Sequence, residues 1–350
     1  MADDCNAKPR GQPVTDTASL AALGWSEFFQ SQIEDADAGL EPRRISGVHR
    51  TRLAGISEHG PEQLVLGPHA NTGEFAVGDW VLADRETDIV VRRLDRKALL
   101  QRRTEGKDNQ LAAANVDTLF IVTSCNADFN PSRLERYLAL ANQAGTEPVI
   151  LLTKADTVDD AESYRQQAQA LQRDLAVVVL NGRSPDAVGA LAPWCGAGRT
   201  VALVGSSGVG KSTLVNTLAG PDREQTQETG GIREQDAKGR HTTTSRSLHA
   251  IAGGGWVIDT PGMRTLYVSD ASFGIETLFA EITDLAPFCR FRDCTHAHEP
   301  GCAVQKAVKE GTLSAERLDR WRKLSEENVQ NTPVQTGPRG NKVPGRKKKY

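Results

Sequence analysis

Short hydrophobic runs separated by glycine dominate the chain between residues 44 and 103. The runs cover residues 45–53, 63–66, 80–83 and 89–93, and polar or glycine-bearing turns lie between them. Several short strands broken by turn residues are typical of a small closed β-barrel. The pattern therefore predicts an OB-fold barrel in this part of the chain.

Beyond residue 110 the pattern changes to strands that alternate with helices. It predicts strands at 117–123, 148–152, 176–180, 200–204, 247–251 and 255–258, and helices at 131–144, 159–171 and 212–218. Alternation of this kind indicates a mainly parallel sheet that is covered by helices on both faces. The predicted fold class is α/β. Residues 271–330 follow as a helical unit interrupted by cysteines, and residues 20–29 predict a short packed helix.

Composition and charge are those of a folded chain with uneven charge. Of the 350 residues, 38% are hydrophobic and 25% charged, which is enough for a sizeable core. No apolar run reaches the ~18 residues of a membrane helix, and the polar amino terminus lacks an apolar leader. We therefore expect a cytoplasmic protein with no membrane partner.

The net charge of −3 conceals local extremes. Residues 1–41 carry eight acids and two bases, which sums to −6, whereas residues 333–350 carry six bases and no acid. Between Arg92 and Arg103 six bases face one acid, Asp95. Basic stripes suit a polyanionic partner, and a solvated face or a disordered tail is the equally weighted alternative.

One glycine-rich segment fits the phosphate-loop pattern G-x-x-x-x-G-K-[ST] at every constrained position. Glycines there let backbone N–H groups surround phosphate oxygens at a helix N-terminus. Lys211 would neutralise the β- and γ-phosphates, and Ser212 would ligate Mg²⁺. The segment predicted to bind nucleotide consists of Gly205, Ser206, Ser207, Gly208, Val209, Gly210, Lys211, Ser212 and Thr213.

The residues that follow the predicted strand 148–152 indicate which base is bound. Thr153, Lys154, Ala155 and Asp156 are similar to the guanine-reading motif [NT]-K-x-D. An aspartate there accepts hydrogen bonds from both N1–H and N2–H of guanine, a pair that adenine cannot donate. Threonine in place of asparagine lacks an amide partner. A P-loop ATPase or kinase stays open as an alternative in which Asp156 is incidental.

Two further segments supply groups for Mg²⁺ and the γ-phosphate. Asp259 and Gly262 form a D-x-x-G motif after a predicted strand, and the polar stretch 222–240 leads into three threonines, with Thr243 in their centre. This is the profile of a mobile switch loop. Met263 stands where many GTPases carry a water-orienting glutamine, so we expect slow intrinsic hydrolysis and take His241 as the hypothetical substitute. The predicted catalytic groups are Lys211, His241, Thr243, Asp259 and Gly262.

Three cysteines and a histidine lie within fourteen residues, at Cys289, Cys294, His296 and Cys302. This spacing meets the tetrahedral Cys₃His demand of structural zinc, and four protein ligands leave no open position for catalysis. His298 as the nitrogen ligand, or three unrelated buried cysteines, are the alternatives. A disulfide framework is not expected in a chain of this length.

The order of the motifs is unusual, because the base reader at 153–156 precedes the phosphate loop, the switch threonines and D-x-x-G. Circular permutation produces this order, since the termini of compact domains often lie close together. A barrel, a permuted set of GTPase motifs and a Cys-x4-Cys-x-His-x5-Cys unit together resemble the circularly permuted, ribosome-small-subunit-dependent GTPase A family of bacteria. The resemblance runs from about residue 43 to 325.

That resemblance implies a circularly permuted P-loop GTPase domain with an N-terminal OB-fold β-barrel and a C-terminal helical zinc-binding domain. The domains would be an extension at 1–42, the barrel at 43–106, the GTPase domain at 107–270, the zinc domain at 271–330 and a basic disordered tail at 331–350. One departure is the segment Asn181, Gly182 and Arg183, which stands where many GTPases carry a Ser-Ala motif that contacts the base.

The same resemblance implies GTP hydrolysis that the 30S subunit stimulates during late small-subunit assembly and 16S rRNA maturation. GTP and GDP would be bound with Mg²⁺, one structural Zn²⁺ would hold the C-terminal domain, and that domain and the barrel would contact 16S rRNA. We expect a monomer. A nucleotide-gated RNA-binding module without turnover is the remaining alternative.

Overall fold

The computed structural model describes residues 19–68, 70–102, 110–220, 246–259 and 268–332. The predictions of disorder at residues 1–18, of the switch loop around 222–244, and of the basic tail beyond residue 332 lie outside these described residues.

Five strands form the predicted barrel. They are β1 (Leu40–Val48), β2 (Leu53–Ser57), β3 (Gly60–Leu66), β4 (Trp80–Asp84) and β5 (Ile89–Arg93). Neighbouring strands follow the order β1-β2-β3-β5-β4, and pairing of β4 with β1 closes the barrel around Ile45, Leu53 and Val81. The hydrophobic run at 45–53 is two strands rather than one. The polar residues 49–52 turn the chain, with the His49 N–H donating to the Arg52 carbonyl.

A hairpin of β6 (Leu99–Arg102) and β7 (Gln110–Ala114) leads into the sheet of the α/β part of the chain, which is joined to the barrel where Ser247 pairs with Gly47 of β1. That sheet contains β8 (Thr118–Ser124), β9 (Glu147–Thr153), β10 (Ala176–Val179), β11 (Thr200–Val204), β12 (Ser247–Ala250) and β13 (Trp256–Asp259). The order is β10-β9-β8-β11-β13-β12, with only β12 antiparallel to its neighbour within this group. The prediction of a mainly parallel sheet is confirmed.

Helices cover this sheet on both faces, so that two separate hydrophobic clusters flank the buried strands. They are α2 (Pro131–Ala144), α3 (Ala161–Gln169), α4 (Asp186–Leu191) and α5 (Lys211–Ala219). Helix α2 has the predicted bounds because Asn130 caps its first turn, proline occupies its first position, and Gly145 ends it at φ 76°. Helix α4 was not predicted.

The amino-terminal segment fits between the barrel and the parallel sheet. Within residues 20–29 only α1 (Glu27–Gln30) is helical and it ends at Gln30, so the prediction of a helix over 20–29 is wrong for most of its length. Gly24 has a φ of 91°, and a Cβ on it would lie 2.8 Å from the Gly198 carbonyl oxygen. The close approach to the parallel sheet therefore favours a tight turn over a continuous helix. Leu23 and Phe29 are fully buried and pack in one cluster with Trp80 of the barrel.

Arg44 of β1 joins the same three parts of the molecule. Its guanidinium is buried, donates to the Leu23 carbonyl, and donates to Thr200 Oγ1 at 2.6 Å. It also lies over the Trp80 ring. Burial lowers the pKa of Arg44 to about 10. These contacts connect the amino-terminal segment and the barrel to the strand that precedes the glycine-rich loop.

The carboxy-terminal unit contains α6 (Ser272–Leu278), α7 (Ala280–Leu285), α8 (Ala303–Lys309) and α9 (Ala315–Asn331). Helix α6 presses on α2 so closely that a Cβ on Gly274 would lie 1.9 Å from the Ala139 carbonyl oxygen. Buried Arg317 of α9 pairs with buried Glu135 of α2 at 2.7 Å. Among the described residues no helix has the length and apolar character needed to cross a membrane.

Candidate functional site

The glycine-rich loop connects β11 to α5. Gly205, Gly208 and Gly210 have φ values of 143°, 81° and 100°, a region that side chains strongly disfavour. A Cβ on Gly205 would also lie 2.2 Å from the carbonyl oxygen of Val122 in β8. The loop therefore requires glycine at position 205. The loop ends at the N-terminus of α5, whose backbone N–H groups and dipole favour binding of an anion.

Lys211 is the first residue of α5 and folds back over this loop. Its ammonium donates to the carbonyl oxygens of Gly205 at 2.8 Å and Ser206 at 2.6 Å. These two carbonyls hold a positive charge beside the loop backbone. The arrangement places a cation and a helix N-terminus together, and a polyphosphate is attracted to both.

Thr153, at the end of β9, connects the predicted base reader to the glycine-rich loop. Its hydroxyl is buried and lies 2.6 Å from the Val209 carbonyl oxygen and 3.1 Å from that of Thr123. Sequence reasoning treated threonine here as the loss of an amide partner and missed this contact. No local pattern reveals it, because the two residues are 56 positions apart.

The rest of the base-reading segment lies on the surface just after Thr153. Lys154 has a left-handed φ of 56°, and Asp156 is exposed on the short 3-10 turn that follows. The parallel register of β9 and β10 sets Leu152 beside Val179, so the loop after β10 emerges next to this turn. That loop contains Gly182, whose carbonyl accepts a hydrogen bond from Thr217 of α5 at 2.8 Å.

The backbone of Asp259 ends β13, which runs parallel to β11 with Ala202 level with Ile258. Asp259 is therefore level with Leu203, two residues before the glycine-rich loop, at the same edge of the sheet as Thr153. His241, Thr243 and Gly262 lie outside the described residues.

The carboxy-terminal cysteines and histidine form one compact group. The potential ligand atoms of Cys289, Cys294, His296 and Cys302 all lie within 4.8 Å of one another. His296 Nδ1 is 3.5 Å from Cys289 Sγ and 3.4 Å from Cys302 Sγ. The two sulfurs are 3.8 Å apart, and two thiolates on one tetrahedral zinc with bonds of about 2.3 Å would lie at nearly this separation. The donor set and its spacing fit a metal of zinc type.

Outer residues hold this group in place. The Ala303 N–H donates to Cys289 Sγ and the Gln305 N–H donates to Cys302 Sγ, both at 3.4 Å. His296 has a φ of 58°, and its carbonyl accepts from Gln305 Nε2 at 2.6 Å and from Arg322. Sequence reasoning missed Gln305 and Arg322, since nothing in the spacing of the cysteines points to them. His298 is exposed and outside the group.

Comparisons with known proteins agree with this geometry. A family model described as RsgA GTPase matches residues 93–269. The chain is 71% identical over 338 residues to a protein of Mesorhizobium japonicum named small ribosomal subunit biogenesis GTPase RsgA, covering 96% of this chain and 98% of that one. It is 50% identical over 323 residues to small ribosomal subunit biogenesis GTPase RsgA 2 of Vibrio vulnificus, covering 91% and 90%.

Two solved structures share the fold. YjeQ from Thermotoga maritima superposes with a TM-score of 0.61 at 24% identity, covering 83% of this chain and 99% of that one. YloQ, described as a circularly permuted GTPase, gives a TM-score of 0.60 at 23% identity, covering 87% and 100%. The barrel, the permuted α/β domain and the helical unit with a Cys₃His group are therefore the architecture that the sequence predicted. The match over residues 93–269 and the 71% identical relative show that this chain is a GTP hydrolase that belongs to the RsgA GTPase family.

Proposed function

We propose that this GTPase acts on the small ribosomal subunit in the cytoplasm, as a monomer, during late 30S assembly and 16S rRNA maturation. The names of the two relatives support a role in small-subunit biogenesis. The observation that carries the nucleotide part of the proposal is the Thr153–Val209 hydrogen bond of 2.6 Å. This bond joins the segment proposed to read guanine to the loop proposed to hold the phosphates.

In the proposed site GTP or GDP lies between these two segments. Asp156 accepts hydrogen bonds from guanine, and the stem of Lys154 lies along the purine, with Thr153 and Ala155 shaping the turn. The phosphates lie against the loop Gly205, Ser206, Ser207, Gly208, Val209, Gly210, Lys211, Ser212 and Thr213. Lys211 leaves its two carbonyl partners and neutralises phosphate charge.

Ser212 and Asp259 are the residues proposed to hold Mg²⁺, which would neutralise charge on the β- and γ-phosphates. Thr243 and Gly262 are proposed to contact the metal and the γ-phosphate from the two switch segments. His241 is proposed to orient the attacking water, because the thioether of Met263 cannot do so. A His241→Ala protein that retains full stimulated turnover would contradict this role.

We propose that one Zn²⁺ is bound by Cys289, Cys294, His296 and Cys302. With four protein ligands the metal would stabilise the fold of the helical unit and leave no open position for catalysis. The barrel and this unit are proposed to contact 16S rRNA. The basic side chains near Arg92 support the contact of the barrel with a polyanion, although Arg92 itself pairs with Asp37.

The test is phosphate release from GTP, with ATP as the control, in the presence and absence of purified 30S subunits. We expect slow release from GTP alone, a strong increase with 30S, and no comparable release from ATP. Turnover that is unchanged by 30S would contradict the proposed partner. Equal use of ATP would contradict the base-reading role of Asp156.

A further inference from the structure

The segment around the first metal-binding cysteine presents two aromatic rings to solvent. Phe288 is 77% exposed and Phe291 is 41% exposed. Two basic residues, Arg290 and Arg292, lie on either side of Phe291 in the sequence, and both are exposed. We call Phe288, Arg290, Phe291 and Arg292 the aromatic–arginine surface. Phenylalanine is a residue type that is usually buried. Two exposed phenylalanines close together therefore suggest a surface that contacts a partner.

The backbone beneath this surface is fixed by the Cys₃His group and its neighbours. Cys289 lies between Phe288 and Arg290, and its sulfur accepts from the Ala303 N–H. The Arg290 N–H donates to the Gly301 carbonyl at 3.1 Å. A Cβ on Gly301 would lie 3.0 Å from the Arg290 Cβ, which shows how closely the two segments pack. The rings therefore project from a rigid support, and binding to them costs little ordering of the backbone.

The charges of this surface favour an anionic partner. Neither Arg290 nor Arg292 forms an ion pair with a carboxylate within the described ranges, and the Arg290 guanidinium lies 5.5 Å from the centre of the Phe291 ring. Of the nearby acids, Asp293 is exposed. Glu299 accepts hydrogen bonds from the Thr295 N–H and hydroxyl, and hydrogen bonds to this carboxylate hold its pKa far below the ordinary value. Glu299 is thus committed to its own loop.

We propose that the aromatic–arginine surface binds unpaired RNA, with bases stacked on Phe288 and Phe291 and phosphates beside Arg290 and Arg292. Exposed aromatic rings recognise single-stranded bases by stacking, and guanidinium groups bind phosphate and extend the stacked surface. A duplex offers no free base faces to these rings. The inference rests on the proposed role at the small subunit, and it adds which surface contacts RNA and which form of RNA it prefers.

The test is fluorescence anisotropy of the full chain with a labelled oligouridylate of about ten nucleotides. The Phe288→Ala/Phe291→Ala protein is expected to bind the oligomer about tenfold or more weakly, whereas Phe288→Tyr/Phe291→Tyr keeps both rings and stays within about twofold of the wild type. Zinc content and melting temperature show that each variant is folded. Phe273→Ala is the matched control, because Phe273 is 61% exposed on α6.

The arginines give a second readout. In Arg290→Gln/Arg292→Gln the slope of log K against log salt should become shallower by about 1.4, the value for two phosphate contacts on a single strand. Wild-type affinity for the single strand should also exceed that for a duplex of the same length, and the double alanine variant should lose this preference. A slope that does not change would show that the arginines do not contact phosphate.

The inference is overturned if the double alanine variant keeps wild-type affinity for the oligomer, or loses no more affinity than Phe273→Ala does. If that same variant also fails to co-sediment with 30S, the surface contacts a protein instead of RNA. The oligomer assay contains neither nucleotide nor 30S, so it separates this inference from the proposed function. GTP turnover that does not respond to 30S would contradict the proposed function, but it would not change the conclusion drawn from the RNA-binding measurement.

Discussion

Replacing Thr153 with valine tests whether the base reader and the glycine-rich loop act as one site. Valine has nearly the shape of threonine and lacks the hydroxyl, so the Val209 carbonyl loses its partner at 2.6 Å. Thr153 is only 2% exposed, and water cannot easily replace the lost bond. An unsatisfied buried group costs about 1–3 kcal/mol. If nucleotide binding must restore the loop geometry against that cost, the Kd for GDP rises about 5- to 150-fold.

The assay is a titration of the protein with a fluorescent GDP analogue, alongside urea unfolding. Thr146→Val is the matched control, because the buried Thr146 hydroxyl donates to the Ala141 carbonyl at 3.1 Å, away from the loop. It should lower the free energy of unfolding without changing the Kd. Thr153→Ser keeps the hydroxyl and should bind GDP nearly as the wild type does. A Thr153→Val protein with wild-type affinity, or with a change that Thr146→Val reproduces, would refute the reasoning.

Three further predictions concern the base, the metal and the domain contact. Asp156→Ala should reduce the preference for GDP over ADP by about tenfold or more, measured by competition, because guanine loses its charged acceptor; an unchanged preference would contradict the assignment. Cys302→Ser should lower bound zinc from one ion per chain and lower the melting temperature, and equal zinc content in both proteins would contradict the proposed ligand set. Arg44→Met should lower the free energy of unfolding by about 1–3 kcal/mol, since Thr200 Oγ1 and the Leu23 carbonyl lose a donor. A midpoint of urea unfolding equal to that of the wild type would show that these contacts do not stabilise the protein.

Sequence reasoning succeeded where the determinants are local. Helix α2 was predicted with its observed bounds from its sequence pattern and the proline in its first turn, and the structure adds Asn130 and Gly145 as the caps on either side of it. The strand at Thr200–Val204 and the loop that follows it were predicted for the same reason, since the hydrophobic run and the glycines are adjacent. The compact Cys₃His group likewise follows from four residues close in sequence.

Prediction failed where distant parts of the chain decide the structure. Residues 20–24 form a turn because they press on Gly198, which is nearly 180 positions away. The polar turn at 49–52 is hidden inside a run that looks like one strand. The contacts of Thr153 with Val209, and of Gln305 and Arg322 with the His296 carbonyl, depend on tertiary packing in the same way. Local propensity carries no information about such contacts.

The most direct test of the proposed function is the dependence of GTP turnover on 30S concentration. The wild-type protein should show slow phosphate release without 30S and a saturable increase as 30S is added. Lys211→Ala should show neither, because the phosphates lose the cation beside the loop. A wild-type rate that stays flat across the 30S titration would contradict the proposed coupling, and undiminished turnover of Lys211→Ala would contradict the placement of the reaction at the glycine-rich loop.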